Sequence, residues 1–313
     1  MQMKIVFMGT MNFAVPILEG LIQTEEVLMV VTQPDRPFGR KKVLKPSSVK
    51  LKALEHGITV FQPERIKIEY EPILRLNPDV IIVAAYGQMI PQIILDTPLY
   101  KCINVHASLL PKYRGGAPMH KAIQNGETTT GVTIMQMAMK MDSGPIYAQR
   151  EISILDKDDV GTLEEKLSIV GRDLLLDTLP NITDGSLLPK PQDEAKITYA
   201  YNIKREEEHL DFNLSAKSVE NHVRGYHPSP LTYAMLDGDI IKIYEVKVVD
   251  ETKVLSNQFG EILEVTKNSC FVQANPGIIS LEKIQLAGKN PMSIQAFLAG
   301  NNKSILSKGK ILK

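Results

Sequence analysis

Two architectures in tandem are predicted by the sequence: a doubly wound, mostly parallel α/β sheet over residues 1–200, then a small β-barrel over residues 211–313. Three observations predict them. Short apolar runs alternate with helical patterns over the first 140 residues. Near-continuous β-branched runs of that kind suit strands buried on both faces. Beyond residue 230 the pattern changes to short strands separated by turns, the spacing of a small barrel. With 313 residues, 43% of them hydrophobic, the chain also exceeds what one ordinary core requires.

Taken in order, Lys4 to Met8 reads as a strand ending at Gly9, and Phe13, Ile17, Leu18, Leu21 and Ile22 have helical spacing. Val27 to Val31 is a second strand. Gln33 to Ser48 reads as a long loop rich in proline and positive charge, with Ser47 or Ser48 capping a helix to Glu55. Val80 to Ala84, Cys102 to His106 and Thr133 to Met137 complete the predicted sheet. Val160 to Leu179 is a long amphipathic helix, expected to stop at Pro180. The polar stretch around residues 201–210 reads as a linker. A helix from Ser215 to Arg224 precedes strands at Leu231–Leu236, Ile240–Val249, Gly260–Val265, Cys270–Ala274 and Gly277–Leu286. Ser307 to Lys313 is expected to fray.

Several function classes are excluded or disfavoured. There is no apolar run of about 18 residues, no leader pattern at the start, and no Cys/His spacing suited to zinc. Cys102 and Cys270 fit a reducing compartment, so a cytoplasmic protein without metal is expected. Gly9 opens a turn but lacks the partner glycines of a dinucleotide site, and no phosphate loop is present. The 36 basic residues balance 36 acidic ones. Their distribution is uneven: residues 1–150 hold 17 basic against 12 acidic residues, residues 151–210 hold 7 against 14, and residues 253–313 hold 8 against 3. Positive charge at both ends permits a polyanionic partner and does not by itself establish one.

The densest chemical signal is Asn104-Val105-His106-Ala107-Ser108-Leu109-Leu110-Pro111. Strand side chains alternate, so Asn104 and His106 share a face at a strand's carboxyl end. Open α/β sheets place ligands at that end. Asp142, in a turn after the next strand, can return to the same place. An asparagine amide can hold a developing oxyanion. A histidine can help hold that oxygen or move a proton, and a carboxylate can orient it or relay a proton. Such a trio suits addition to a carbonyl carbon and requires no serine or cysteine nucleophile. The residues alone leave the reaction open.

Asn104-x-His106-x-Ser108-Leu109-Leu110-Pro111, with Arg114-Gly115, Ala117-Pro118, Gly131-Val132-Thr133 and Asp142-x-Gly144, resembles the folate-dependent formyltransferases. The one visible departure is Ala107, where many relatives carry glycine. The resemblance implies a Rossmann-like sheet, an OB-like barrel, and catalytic roles for Asn104, His106 and Asp142. It also implies folate contacts from Ser108, Leu109, Leu110 and Pro111, and from the backbone of Tyr86 and Gly87 within Ala85-Tyr86-Gly87-Gln88. The donor implied is 10-formyltetrahydrofolate.

A narrower resemblance is to the members of that family that formylate methionine charged on initiator tRNA. Phe7-Met8-Gly9-Thr10, Thr32-Gln33-Pro34-Asp35-Arg36-Pro37-x-Gly39-Arg40 and Ala287-Gly288-Lys289-x-x-Met292-Ser293 carry it. It implies tRNA contacts from the basic loop with Arg36, Arg40, Lys41 and Lys42; the basic excess of the second domain adds Lys289, and a monomer without membrane association is expected. Three alternatives stay open at this point. One is a formyltransferase acting on a small amine, glycinamide ribonucleotide or an amino sugar nucleotide. Another is a hydrolase of the folate. The last is a non-catalytic RNA-binding protein.

Overall fold

The computed structural model describes residues 2–38, 43–300 and 304–313. They fall into two compact units, residues 1–118, 129–153 and 164–201 in the first, and residues 119–128, 154–163 and 202–313 in the second. The strands of the first unit are β1 (Lys4–Gly9), β2 (Glu26–Val31), β3 (Arg36–Phe38), β4 (Val43–Lys45), β5 (Val60–Phe61), β6 (Val80–Ala84), β7 (Cys102–His106), β8 (Thr129–Gln136) and β9 (Ile146–Ser153). Seven of them form one sheet in the order β5-β2-β1-β6-β7-β8-β9. The first five are parallel, and β8 and β9 run antiparallel to their neighbours. Strand order reverses between β1 and β6, where Gly9 pairs with Ala84. The carboxyl ends of the central strands therefore open at a switch point, where such sheets bind ligands.

Helices cover both faces because the strands are apolar on both. Val6, Met8, Val31, Ile81 and Val83 bury one face, against Ile66, Ile73, Tyr86, Ile90, Ile94 and Leu95. Ile73 lies in α3 (Glu71–Leu74), and Ile94 and Leu95 in α4 (Gln92–Asp96). Toward the other face lie α1 (Ala14–Thr24), α2 (Ser48–Glu55) and the long helix α6 (Val160–Thr183), which follows α5 (Pro118–Gln124). A side chain at Gly171 would meet Val105 Cγ1 at 2.9 Å, so α6 packs directly on β7. At Gly9 an added Cβ would lie 2.9 Å from both Ala14 Cβ and the Ala84 carbonyl. Glycine serves close packing there, with no phosphate needed to account for it.

Three expectations are corrected in these elements. The charged segment Gln33–Ser48 contains the hairpin β3–β4, with Arg36 opposite Lys45. Its base is fixed by Asp35, which accepts from Lys50 Nζ at 2.7 Å and from Gln62 Nε2 at 2.8 Å. Ser47 caps α2 by accepting from Lys50 N at 3.0 Å. The helix α6 runs through Pro180 to Thr183. In the last turn a proline removes one backbone donor, and little helix remains beyond it to disrupt. Strand β8 begins at Thr129, earlier than the apolar run that signals it.

In the second unit α7 (Ala216–Tyr226) starts at Ser215, whose Oγ accepts from Ser218 N at 3.2 Å. The strands β10 (Thr232–Leu236), β11 (Asp239–Asp250), β12 (Ile262–Val265), β13 (Cys270–Gln273), β14 (Ile278–Leu286) and β15 (Met292–Ser293) follow, then α8 (Ile294–Ala299). They form an antiparallel sheet in the order β10-β11-β14-β13-β12, with β15 on β14. Register shifts between β11 and β14 mark bulges, which bend long strands. One core joins Val219 and Val223 of α7 to Ile243, Leu281, Phe297 and Leu298.

The expected fraying of Ser307–Lys313 is overturned. Leu312 is 1% exposed. Lys313 exchanges two backbone hydrogen bonds with Met235, at 2.6 and 2.8 Å. Ile262 N donates to the Lys310 carbonyl, and Leu312 N to that of Gly260. An apolar residue at position 312 and the outer edges of β10 and β12 account for the docking. Both cysteines are buried, and burial pushes the Cys270 thiol up to about 12.

Candidate active site

Strand β7 is buried along its length and carries Asn104 and His106 on one face at its carboxyl end. Asn104 is 8% exposed and His106 6%. Register places Asn104 beside Val83 on one side and Met135 on the other, and His106 opposite Thr133. His106 Nε2 lies 3.0 Å from the Tyr113 carbonyl. A carbonyl only accepts, so Nε2 carries the proton and donates it. Nδ1 then faces Asp142 Oδ2 at 3.8 Å. That distance is too long for a direct hydrogen bond and within reach of an ion pair when Nδ1 gains a proton.

The same Asp142 oxygen accepts from Gly115 N at 2.8 Å. Asp142 sits at φ 46°, in the left-handed region, and Gly144 follows at a point where a Cβ would lie 1.8 Å from the Gln136 carbonyl. Only glycine fits this return from β8. A hydrogen-bonded knot holds the turn. Gln192 Nε2 donates to the carbonyls of Asp142 and Gly144, both at 2.8 Å. Its Oε1 accepts from Arg114 Nε at 3.0 Å and Nη2 at 2.7 Å. Arg114 is 1% exposed, and its Nη1 has no hydrogen-bond partner among the described residues. A cavity of about 350 Å³, lined by Arg114, Ser143, Pro145, Pro191, Gln192 and Glu194, adjoins this knot. Gln192 carried no signal in the sequence, because it lies in a turn-rich segment remote from every motif.

The segment Ser108–Pro111 is pinned through Thr133. Its Oγ1 donates to the Ser108 carbonyl at 2.6 Å and accepts from Leu110 N at 3.1 Å. Gln149 Nε2 joins them, donating to Leu110 O and Thr133 Oγ1, each at 2.8 Å. Ser108 Oγ donates to the Lys112 carbonyl at 2.7 Å, so its hydroxyl braces the loop from within. Gly131 lets Leu109 approach, since a Cβ there would meet Leu109 Cδ2 at 2.5 Å.

Next to Asn104, at the carboxyl end of β6, the chain turns through Ala85 at φ 46° and Gly87 at φ 91°. The Tyr86 carbonyl accepts from Thr10 Oγ1 at 2.9 Å and Gln33 Nε2 at 3.3 Å. The Tyr86 ring is 3% exposed within the apolar cluster, and burial raises its phenol. What this segment offers a ligand is therefore backbone, and a Cβ at Gly87 would meet nothing nearer than 3.5 Å.

The structure thus brings Asn104, His106, Asp142, residues 108–111 and Tyr86–Gly87 to the carboxyl end of one sheet. Arg36 stands on the hairpin strand β3, 3.6 Å from Glu64 with both side chains exposed. Arg40, Lys41 and Lys42 lie outside the described residues. Lys289 belongs to the second unit, on an exposed turn after β14. Lys310 is engaged by Asp237 at 2.7 Å and by two carbonyls.

Residues 3–179 match the family model described as formyl transferase, and residues 202–302 match formyl transferase, C-terminal domain. Over 312 residues the chain is 47% identical to the methionyl-tRNA formyltransferase of Enterococcus faecalis, covering 98% of this chain and 99% of that one. It is 46% identical to that of Staphylococcus epidermidis over 312 residues, 99% of both. Among solved structures, an N-formyltransferase from Helicobacter canadensis in complex with folinic acid and dTDP-3-aminofucose superposes with a TM-score of 0.68 at 18% identity, covering 90% of this chain and 99% of that one. HypX from Aquifex aeolicus in complex with tetrahydrofolic acid gives a TM-score of 0.67 at 16% identity, covering all of this chain and 51% of that one. At such identities the likeness concerns the fold.

Proposed function

Because this chain belongs to the methionyl-tRNA formyltransferase family, we propose that its own residues carry that reaction in full. The formyl group of 10-formyltetrahydrofolate passes to the free amine of methionine charged on initiator tRNA, in the cytoplasm, before translation begins. The observation that carries the reading is the buried cluster at the end of β7, where Asn104 and His106 share a face and the Asp142 oxygen that accepts from Gly115 N stands 3.8 Å from His106 Nδ1.

Each residue has a part in direct amine attack. Asn104 donates an amide N–H to the oxygen that turns negative as the amine adds to the formyl carbon. His106 has its Nε2–H committed to the Tyr113 carbonyl, so its free lone pair is on Nδ1. That nitrogen takes the proton the amine must lose and returns it to the departing folate nitrogen. Asp142 holds the charged imidazole in the interval. The backbone at Tyr86–Gly87 and the braced loop Ser108–Pro111 supply the donor's seat. No covalent enzyme adduct is needed.

The finer architecture follows the same reading. Residues 1–200 form a doubly wound, Rossmann-like catalytic domain, residues 201–210 a linker, and residues 211–313 a closed, OB-like barrel that binds tRNA. Closure is supported by the tail, which hydrogen-bonds to Met235 beside one edge of the sheet and to Gly260 and Ile262 beside the other. Arg36, Arg40, Lys41, Lys42 and Lys289 are the tRNA contacts, and one chain suffices. Identity of 47% to a methionyl-tRNA formyltransferase over nearly the whole chain, against 18% to the sugar-nucleotide enzyme, favours tRNA over a sugar nucleotide.

Replacing Asn104 by Ala tests the chemistry. Loss of one oxyanion donor lowers kcat by about 10²–10³, with thermal stability and folate affinity near those of the parent. A large fall in melting temperature with kcat intact per folded molecule would make Asn104 structural and sink its assigned role.

A further inference from the structure

Tyr199 and Tyr201 lie two residues apart in an extended segment, so both rings emerge on one side. Ala200 between them is fully buried, whereas Tyr199 is 43% exposed and Tyr201 61%. The rings are parallel to within 2°, with centroids 5.3 Å apart. Two large aromatic faces are thus stacked together and left to water.

Their position is fixed by the active-site loop. Arg114 N donates to the Thr198 carbonyl at 2.9 Å, Ala200 N to that of Arg114 at 2.8 Å, and Ala117 N to that of Ala200 at 2.9 Å. Tyr113, whose carbonyl holds His106, donates its N–H to Thr198 Oγ1 at 2.9 Å. A Cβ at Gly115 would come within 2.5 Å of the Ala200 carbonyl and 3.4 Å of Tyr201 N. Gly115 N in turn donates to the Asp142 carboxylate. One hydrogen-bonded residue therefore separates the aromatic pair's backbone from Asp142.

We infer that the Tyr199–Tyr201 pair is the stacking platform for the unpaired 3′-terminal bases of the tRNA substrate, an inference that rests on the function proposed above. Methionine is esterified to the terminal ribose. When its amine reaches His106 and Asp142, the nucleotides that carry it follow directly behind. Unpaired bases need a surface there, and aromatic faces accept any base, since every base presents a π-face. A platform on this segment also couples the docked end to the reacting groups, because the strand that carries the rings also clamps the loop holding His106.

The test compares wild type, Y199L/Y201L (apolar bulk without π-faces) and Y199F/Y201F (both faces kept). The substrate is methionine-charged initiator tRNA with 2-aminopurine in place of its terminal adenine. Wild type is expected to quench the fluorophore on binding, and Y199F/Y201F to restore that quenching. Y199L/Y201L should lose it, with kcat/KM for the tRNA down about 10- to 100-fold and the KM for the formyl donor unmoved. Full kcat/KM in Y199L/Y201L, or a wild type that formylates without quenching, overturns the inference. Should the leucine variant misfold, the wild-type quenching decides alone. A wild type that formylates no charged tRNA overturns the proposed function, and this inference with it.

Discussion

The turn that brings Asp142 beside His106 is tied down by a glutamine 50 residues away. Gln192 spends both ends of its amide on this task, one on Asp142 and Gly144, the other on Arg114. Gln192→Leu keeps the volume and strips the polar partners, leaving a buried guanidinium without an acceptor. Losing such a partner costs about 1–3 kcal/mol, read as an earlier urea midpoint. If Gln192 positions Asp142, kcat falls several-fold beyond any loss of folded protein while the KM for tRNA holds. An unchanged kcat in the folded fraction would reduce Gln192 to a brace. Asn104, His106 and Asp142 were legible in the sequence because strand alternation and a glycine turn constrain where they point. Gln192 was not, since a lone glutamine in a polar loop acquires its meaning only from carbonyls that the fold delivers to it. The aromatic pair was missed for a related reason. Tyr199 and Tyr201 sit in a stretch whose charge reads as linker, and nothing local tells that Thr198 and Ala200 pair with a distant loop.

Among the elements, the buried strands of the first sheet were readable as apolar runs, and those of the second as short alternating ones. Edge elements were not. Strand β9 alternates between partly exposed and exposed positions, and β5 has two residues, so neither leaves a hydrophobic trace. The hairpin β3–β4 was hidden by its charge. The C-terminal tail misled in the opposite sense, as lysines mask the apolar Leu312 that docks it. Removing residues 307–313 exposes Ile262, Gly260 and Met235 to solvent and deletes one buried leucine. The expected loss is about 2–4 kcal/mol, seen as a lower denaturation midpoint of the second unit. A truncated chain as stable as the parent would show that the tail contributes nothing to closing the sheet.

For the molecule as a whole, neutral net charge conceals the feature that matters. Basic residues gather at the two ends of the sequence, on the segment around Arg36 and in residues 253–313, with an acidic stretch between. If the basic regions meet tRNA phosphates, log kcat/KM for charged tRNA falls linearly with log salt, roughly one power per neutralised phosphate. Arg40→Ala should lower that slope by about one and raise the KM for tRNA, leaving folate affinity alone. A salt-independent KM would remove tRNA electrostatics from the account. The family resemblance covered both units from the start, because its motifs lie at both ends of the chain as well as in the site. Spacing alone reached the site and stopped short of the reaction.

Formyl transfer from 10-formyltetrahydrofolate to methionine-charged initiator tRNA, with uncharged tRNA and no tRNA as controls, is the decisive measurement. Formyl-methionine should appear on the charged tRNA alone, with folate consumed in equal amount. Folate consumption without formyl-methionine would instead make water or a small amine the acceptor.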